Sequence, residues 1–229
     1  MKVFNMLNLT AISFTINAIL SLVLTASSYF NFKKNRKSQI GKSFMIVFTS
    51  LTIYFFLGAI AGLFFYHSSF GLNFIRILKE ITQGVFTAFI LQAALLLFYN
   101  FHLVKKIFYS FIFLWIGRIF LDIFLLGEPL LLENKVIEWD VHPLVFLING
   151  VLQGLVFILC GYLFFKKAKT KWENRLFRVR TLFISTAVLV AALVIILPLF
   201  ITQPIEAEAG HGLALVLLII GLSIKPKNV

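Results

Sequence analysis

Seven polar side chains stand inside long apolar runs, where their solvation cost is highest: Arg76, Glu80, Gln83, Arg118, Asp122, Asn149 and Gln153. An ionised group at the centre of a lipid-spanning helix costs about 2.5–3.5 kcal/mol on insertion scales, so such residues must be paired or put to use. Their spacing is ordered. Arg76, Glu80, Gln83 and Thr87 recur at i, i+4, i+7 and i+11, one stripe of a helix. Arg118 and Asp122 stand one turn apart, as do Asn149 and Gln153. Across antiparallel neighbours, Arg118 and Asp122 are expected to face Glu80 and Arg76, with Asn149 and Gln153 completing the cluster from a third helix. Two chemistries stay open for it. It is either charge-paired glue that sets helix register, or the lining of an outward-facing ligand cavity. Arg76 and Lys79 could instead snorkel to the outer interface along their aliphatic stems.

Other reactive side chains carry less. His67, His142 and His211 fall at helix ends near Asp140, Glu206 and Glu208, so imidazole and carboxylate donors for a transition metal exist. They form no HxxxH or HExxH spacing and have no cysteine partner; no metal is expected. Cys160, the single cysteine, reads as a small packing residue. Nucleophile elbow, Gly-rich phosphate loop and paired catalytic carboxylates are all missing from the sequence, so neither an enzyme nor a cofactor is expected. The final span lacks a lysine, which excludes a retinal photoreceptor.

The elements that hold these groups follow from composition. Of 229 residues, 60% are hydrophobic and 13% charged, against about 25% charged in a soluble domain. Chains so apolar bury themselves in lipid. A ~30 Å hydrocarbon core needs about 20 apolar residues at 1.5 Å each. Seven candidate runs follow, six of that length, 9–30, 44–66, 74–98, 107–126, 144–165 and 182–202, and a shorter one, 209–224. Period-two alternation is missing, so the spans are helices rather than strands of a barrel. The expected fold is all-α, a single seven-helix transmembrane domain over residues 1–229 with no soluble domain.

Charge orients it. Lys33, Lys34, Arg36, Lys37 and Lys42 fill the first connection, Lys105 and Lys106 the third, and Lys225 and Lys227 the tail. The fifth holds Lys166, Lys167, Lys169, Lys171, Arg175, Arg178 and Arg180. These alternate segments hold sixteen of the 21 Lys and Arg, whereas Glu128, Glu133, Glu138 and Asp140 lie opposite. Basic short loops stay cytoplasmic, which puts the N-terminus outside and the C-terminus inside a bacterial inner (plasma) membrane. The net charge of +12 is thus a topology signal facing the bilayer, and nucleic acid is not an expected partner. The seven-residue basic set from Lys166 to Arg180 is the expected contact for a cytoplasmic protein partner.

Gly58 with Gly62, and Gly150 with Gly154, each put two glycines on one helix face. They serve contacts within the bundle or a homodimer seam. Pro198 is expected to kink the sixth span.

The run Asn35-Arg36-Lys37-Ser38-Gln39-Ile40-Gly41-Lys42-Ser43-Phe44, leading into residues 45–57, resembles the seven-transmembrane N-terminal input region of bacterial histidine kinases. The likeness spans about residues 7–105. Tyr54 stands where that family often has tryptophan, and no kinase domain is expected to follow. The resemblance implies a signal-input or ligand-sensing module whose output lies in another polypeptide. A small-solute or proton transporter and a structural subunit of a larger membrane complex are the alternatives.

Overall fold

The computed structural model describes residues 9–125, 127, 130–131, 137–138, 142–170, 175–196 and 204–224. Seven α-helices account for nearly all of them: α1 (Leu9–Lys34), α2 (Gln39–Ile60), α3 (Ser69–Leu95), α4 (Phe101–Phe124), α5 (Pro143–Thr170), α6 (Arg175–Ile196) and α7 (Pro204–Ser223). Five helical segments are long and apolar enough to cross a membrane: α1, Gln39–Phe65, α4, α5 and α6. The chain is a multi-pass membrane protein. Phe113 and Phe124 of α4 are 77% and 82% exposed, a surface that is costly in water and cheap in lipid. α3 falls outside the five because its 27 residues carry Arg76, Lys79, Glu80, Gln83 and Gln92. The described apolar part of α7, Ala209–Ser223, is shorter than a full span.

Local chemistry sets the helix starts. Ser38 and Ser68 accept hydrogen bonds from the amides of Gly41 (3.0 Å) and Gly71 (3.1 Å), and Asn100 accepts from Leu103 (2.9 Å). The Asn100 cap starts α4 six residues before the expected span, so the α3–α4 connection is only residues 96–100. α2 ends in a π-helical turn, Ala61–Phe65.

Helices α1, α2, α3, α5, α6 and α7 close a ring, each packed on the next and α7 back on α1. α4 lies outside that ring, against α3 and the flank of α5. Phe14, Phe48, Phe55, Phe86, Phe157 and Phe164 fill much of the ring's core. α3 is its most enclosed member, with 14 of 27 residues buried, whereas α4 buries only five of 24. Those five, Val104, Phe111, Trp115, Arg118 and Asp122, form one narrow stripe at heptad-like spacing.

The connection from α4 to α5 contains a two-residue antiparallel hairpin, β1 (Leu130–Leu131) and β2 (Ile137–Glu138), which the sequence does not announce. The Ile137 amide donates to Thr10 Oγ1 of α1 (3.0 Å), and its side chain packs with Ala61, Leu72 and Ile75. This is the hairpin end of the bundle. The opposite, lysine end holds the α1–α2, α3–α4 and α5–α6 connections.

The glycine pairs serve contacts within the chain. Phe14 of α1 occupies the space a side chain at Gly58 would need, and a Cβ at Gly154 would lie 2.7 Å from Ile196 of α6. Gly62 and Gly150 are also buried. α1 thus packs at Gly58 and α6 at Gly154. Pro198, the expected kink, lies outside the described residues.

Candidate functional site

The polar stripe of α3 enters at the hairpin end and faces α4 and α5. Arg76 Nη2 pairs with Asp122 Oδ1 of α4. One turn further in, Arg118 Nη1 of α4 pairs with Glu80 Oε2. The antiparallel helices make the two pairs reciprocal: each supplies one cation and one anion. Only the Glu80 side chain keeps appreciable exposure, 13% against 2–4% for the other three. At such burial each charge has lost its water, and the partner plus nearby polar groups must replace it.

Trp115 supplies part of that replacement. Its Nε1–H donates to the Glu80 main-chain carbonyl (3.0 Å), and the Arg118 guanidinium lies 5.3 Å from its ring centroid. Gly84 makes the approach possible, because the indole fills the space that a side chain there would occupy. Trp115 was not among the candidate residues, although its position three residues before Arg118 sets it on the same α4 stripe.

Deeper in, the stripe turns to α5. Gln83 Nε2 donates to Gln153 Oε1, and Gln153 Nε2 donates to Thr87 Oγ1 (3.2 Å). Gln153 is 1% exposed. Asn149, one turn nearer the hairpin end, does not join this chain; its buried Oδ1 accepts no hydrogen bond among the described residues. Below Thr87 the stripe gives way to Ile90, Leu91, Ala94 and Leu95 in the apolar core, with Gln92 turned aside to accept from Ser43 (2.9 Å).

Arg76 and Lys79 do not snorkel; they are 3% and 7% exposed. Lys79 leaves α3 on the side of α1 and α2, its ammonium 4.1 Å from the Phe14 ring centroid and 4.6 Å from that of Tyr54. Aromatic faces stabilise a desolvated cation by up to about 2 kcal/mol, a role that helical spacing alone could not assign.

The three histidines do not come together. The His67 ring lies against Tyr66, His142 Nδ1 accepts from the Leu144 amide (3.3 Å), and His211 packs edge-on against Phe55. Among the described residues no group of three His, Cys, Asp or Glu could hold a metal ion. Each histidine sits on a different connection or helix, and none shares a face with another.

Of the basic partner-contact set, Lys166, Lys167 and Lys169 end α5, and Arg175, Arg178 and Arg180 open α6; Lys171 lies outside the described residues. Lys167 turns back to the α3–α4 connection, where Nζ donates to the Leu97 carbonyl (3.4 Å). Chemically, the hairpin-end site can hold or exchange charge partners. Among the described residues it brings no nucleophile and base together.

No protein-family model matches this chain, and no curated protein does.

Proposed function

We propose that the chain is a non-enzymatic signal-input module of a bacterial inner membrane, its output residing in another polypeptide. In this reading all seven helices cross the bilayer, with the N-terminus and the hairpin end outside and the lysine end in the cytoplasm. The distribution of Lys and Arg supports that orientation, and the resemblance of residues 7–105 to kinase input regions supports the class.

One observation carries the proposal. α4 stands outside the helix ring and is bound to it along a single stripe whose outer half is Trp115, Arg118 and Asp122. Lipid provides little apolar drive for helix association, so polar contacts carry an unusual share of α4's attachment. An outside ligand that competes for Arg76, Glu80, Arg118 or Asp122 would loosen α4. Its other end is a five-residue turn held by Lys167, which leads into the basic segment available to a cytoplasmic partner. The inner halves of the fifth, sixth and seventh spans are nearly all aliphatic or aromatic in sequence, which weighs against a transporter. The structural-subunit reading draws on the balance of the two ion pairs, since glue needs no ligand.

Hydrogen exchange separates these readings. Removing both ion pairs with apolar replacements is expected to speed amide exchange at residues 96–100 while the helices stay protected. Unchanged exchange at that turn would leave the subunit reading. Impermeant thiol reagents on intact cells test the orientation: a cysteine at residue 67 should label, and one at residue 170 should not.

A further inference from the structure

The ammonium groups of Lys166 and Lys167 both lie against one aromatic ring, Phe98 of the α3–α4 turn, at 5.3 and 5.4 Å from its centroid. Beside them Lys169 lies 4.7 Å from the Phe165 ring, and on α4 Lys105 lies 5.7 Å from that of Tyr109. Both ion pairs among the described residues are at the other end of the bundle. Two like charges are thus gathered on one ring with no described carboxylate between them. The aromatic face offsets part of their repulsion, and a bound anion would offset the rest.

Depth identifies the anion. At 1.5 Å per residue, Lys166 stands about 35 Å along α5 from Pro143, just beyond a ~30 Å hydrocarbon core and so at the level of lipid phosphates. The surrounding surface is amphipathic. Tyr99 (49% exposed) and Tyr162 (56% exposed) present rings of the kind that populate the membrane–water boundary. A ligand for this place needs an anionic head for the lysines and acyl chains to cover the flank of α5.

We infer that the end of α5 and the α3–α4 turn form a binding site for an anionic glycerophospholipid, its phosphate between Lys166 and Lys167 over Phe98. Because Lys167 also holds the Leu97 carbonyl, such a lipid would sit on the turn through which α4 is proposed to act. The inference rests on the reading of this end as a membrane boundary, but lipid retention is measured without reference to which side faces the cytoplasm.

The test is native mass spectrometry of protein taken from nanodiscs of mixed phosphatidylglycerol and phosphatidylcholine. The wild-type chain is expected to retain phosphatidylglycerol selectively. Lys166→Gln with Lys167→Gln should weaken that retention by about fivefold per lysine, while Lys166→Arg with Lys167→Arg keeps it. Lys33→Gln with Lys34→Gln, an equal loss of charge on another connection, should leave it in place. An equal loss in both glutamine doubles would overturn the site in favour of diffuse charge. Displacement of the lipid by millimolar inorganic phosphate would also overturn it, by making the site one for free phosphate.

Discussion

Arg76 of α3 and Asp122 of α4, 46 positions apart in the chain, form an ion pair with side chains only 4% and 2% exposed. Neither charge has water to fall back on. Asp122→Asn is therefore expected to cost about 3 kcal/mol, because it removes the negative charge paired with the desolvated Arg76 cation. Exchanging the pair, Arg76→Asp with Asp122→Arg, should recover much of that loss. Arg76→Leu with Asp122→Leu should cost less than Asp122→Asn alone, since both desolvated charges go together, but should still weaken the attachment of α4 because lipid gives the leucines little drive to pair. Reversible unfolding in bicelles measures all three.

The closeness of α3 to α4 at this level depends on a missing side chain. Trp115 occupies the space beside Gly84, so Gly84→Ala must push the indole away from the Glu80 carbonyl. We expect a loss of about 1–3 kcal/mol. Gly117, on the exposed side of α4, has nothing within 4 Å of an added Cβ. Gly117→Ala should instead be neutral or raise stability by up to about 1 kcal/mol, through helix propensity alone. Paired melting curves decide whether packing or propensity governs this contact.

Gln153 joins α5 to two points on α3. Gln153→Leu leaves Gln83 and Thr87 without that partner and is expected to cost about 1–3 kcal/mol. Gln83→Leu added to it should cost less than the sum of the two single changes, because the stranded group is then gone. A double-mutant cycle in bicelles reads the coupling.

How much of this was legible in the sequence depends on what kind of signal a feature leaves. The α3 stripe was visible because ionised residues in apolar runs are few and helical spacing fixes which of them share a face. Antiparallel order then gave the partners Arg76 with Asp122 and Glu80 with Arg118, and the coordinates bring those atoms together. Asn149 had the right spacing but does not join the hydrogen bonds of Gln83, Gln153 and Thr87, which periodicity does not resolve. The direction of Lys79, away from its neighbours on the stripe and onto Phe14 and Tyr54, depends on where α1 and α2 pack. So does the placement of α4 outside the ring, since outside its Arg118 and Asp122 face α4 is apolar all round and lipid imposes no single buried face. The hairpin carried no pattern long enough to read.

Trp115→Phe keeps an aromatic ring but removes the N–H donated to Glu80 and trims the indole's volume beside Gly84. A cost of about 1–3 kcal/mol is expected from the lost hydrogen bond and the space left behind. A loss much larger than this would mean that the ring, rather than its hydrogen bond, fixes the helix.

The central claim is that charge pairing at the hairpin end positions α4 along its whole length. It is tested most directly by pulsed electron–electron spin distances at the lysine end, between labels at residue 102 on α4 and residue 170 on α5, in a background with Cys160→Ala. Wild-type protein and Arg76→Leu/Asp122→Leu/Glu80→Leu/Arg118→Leu protein would be compared in the same nanodiscs. A shifted or broadened distance distribution in the fourfold variant, with helical content unchanged, is the predicted result. Superimposable distributions in two equally folded proteins would contradict the claim.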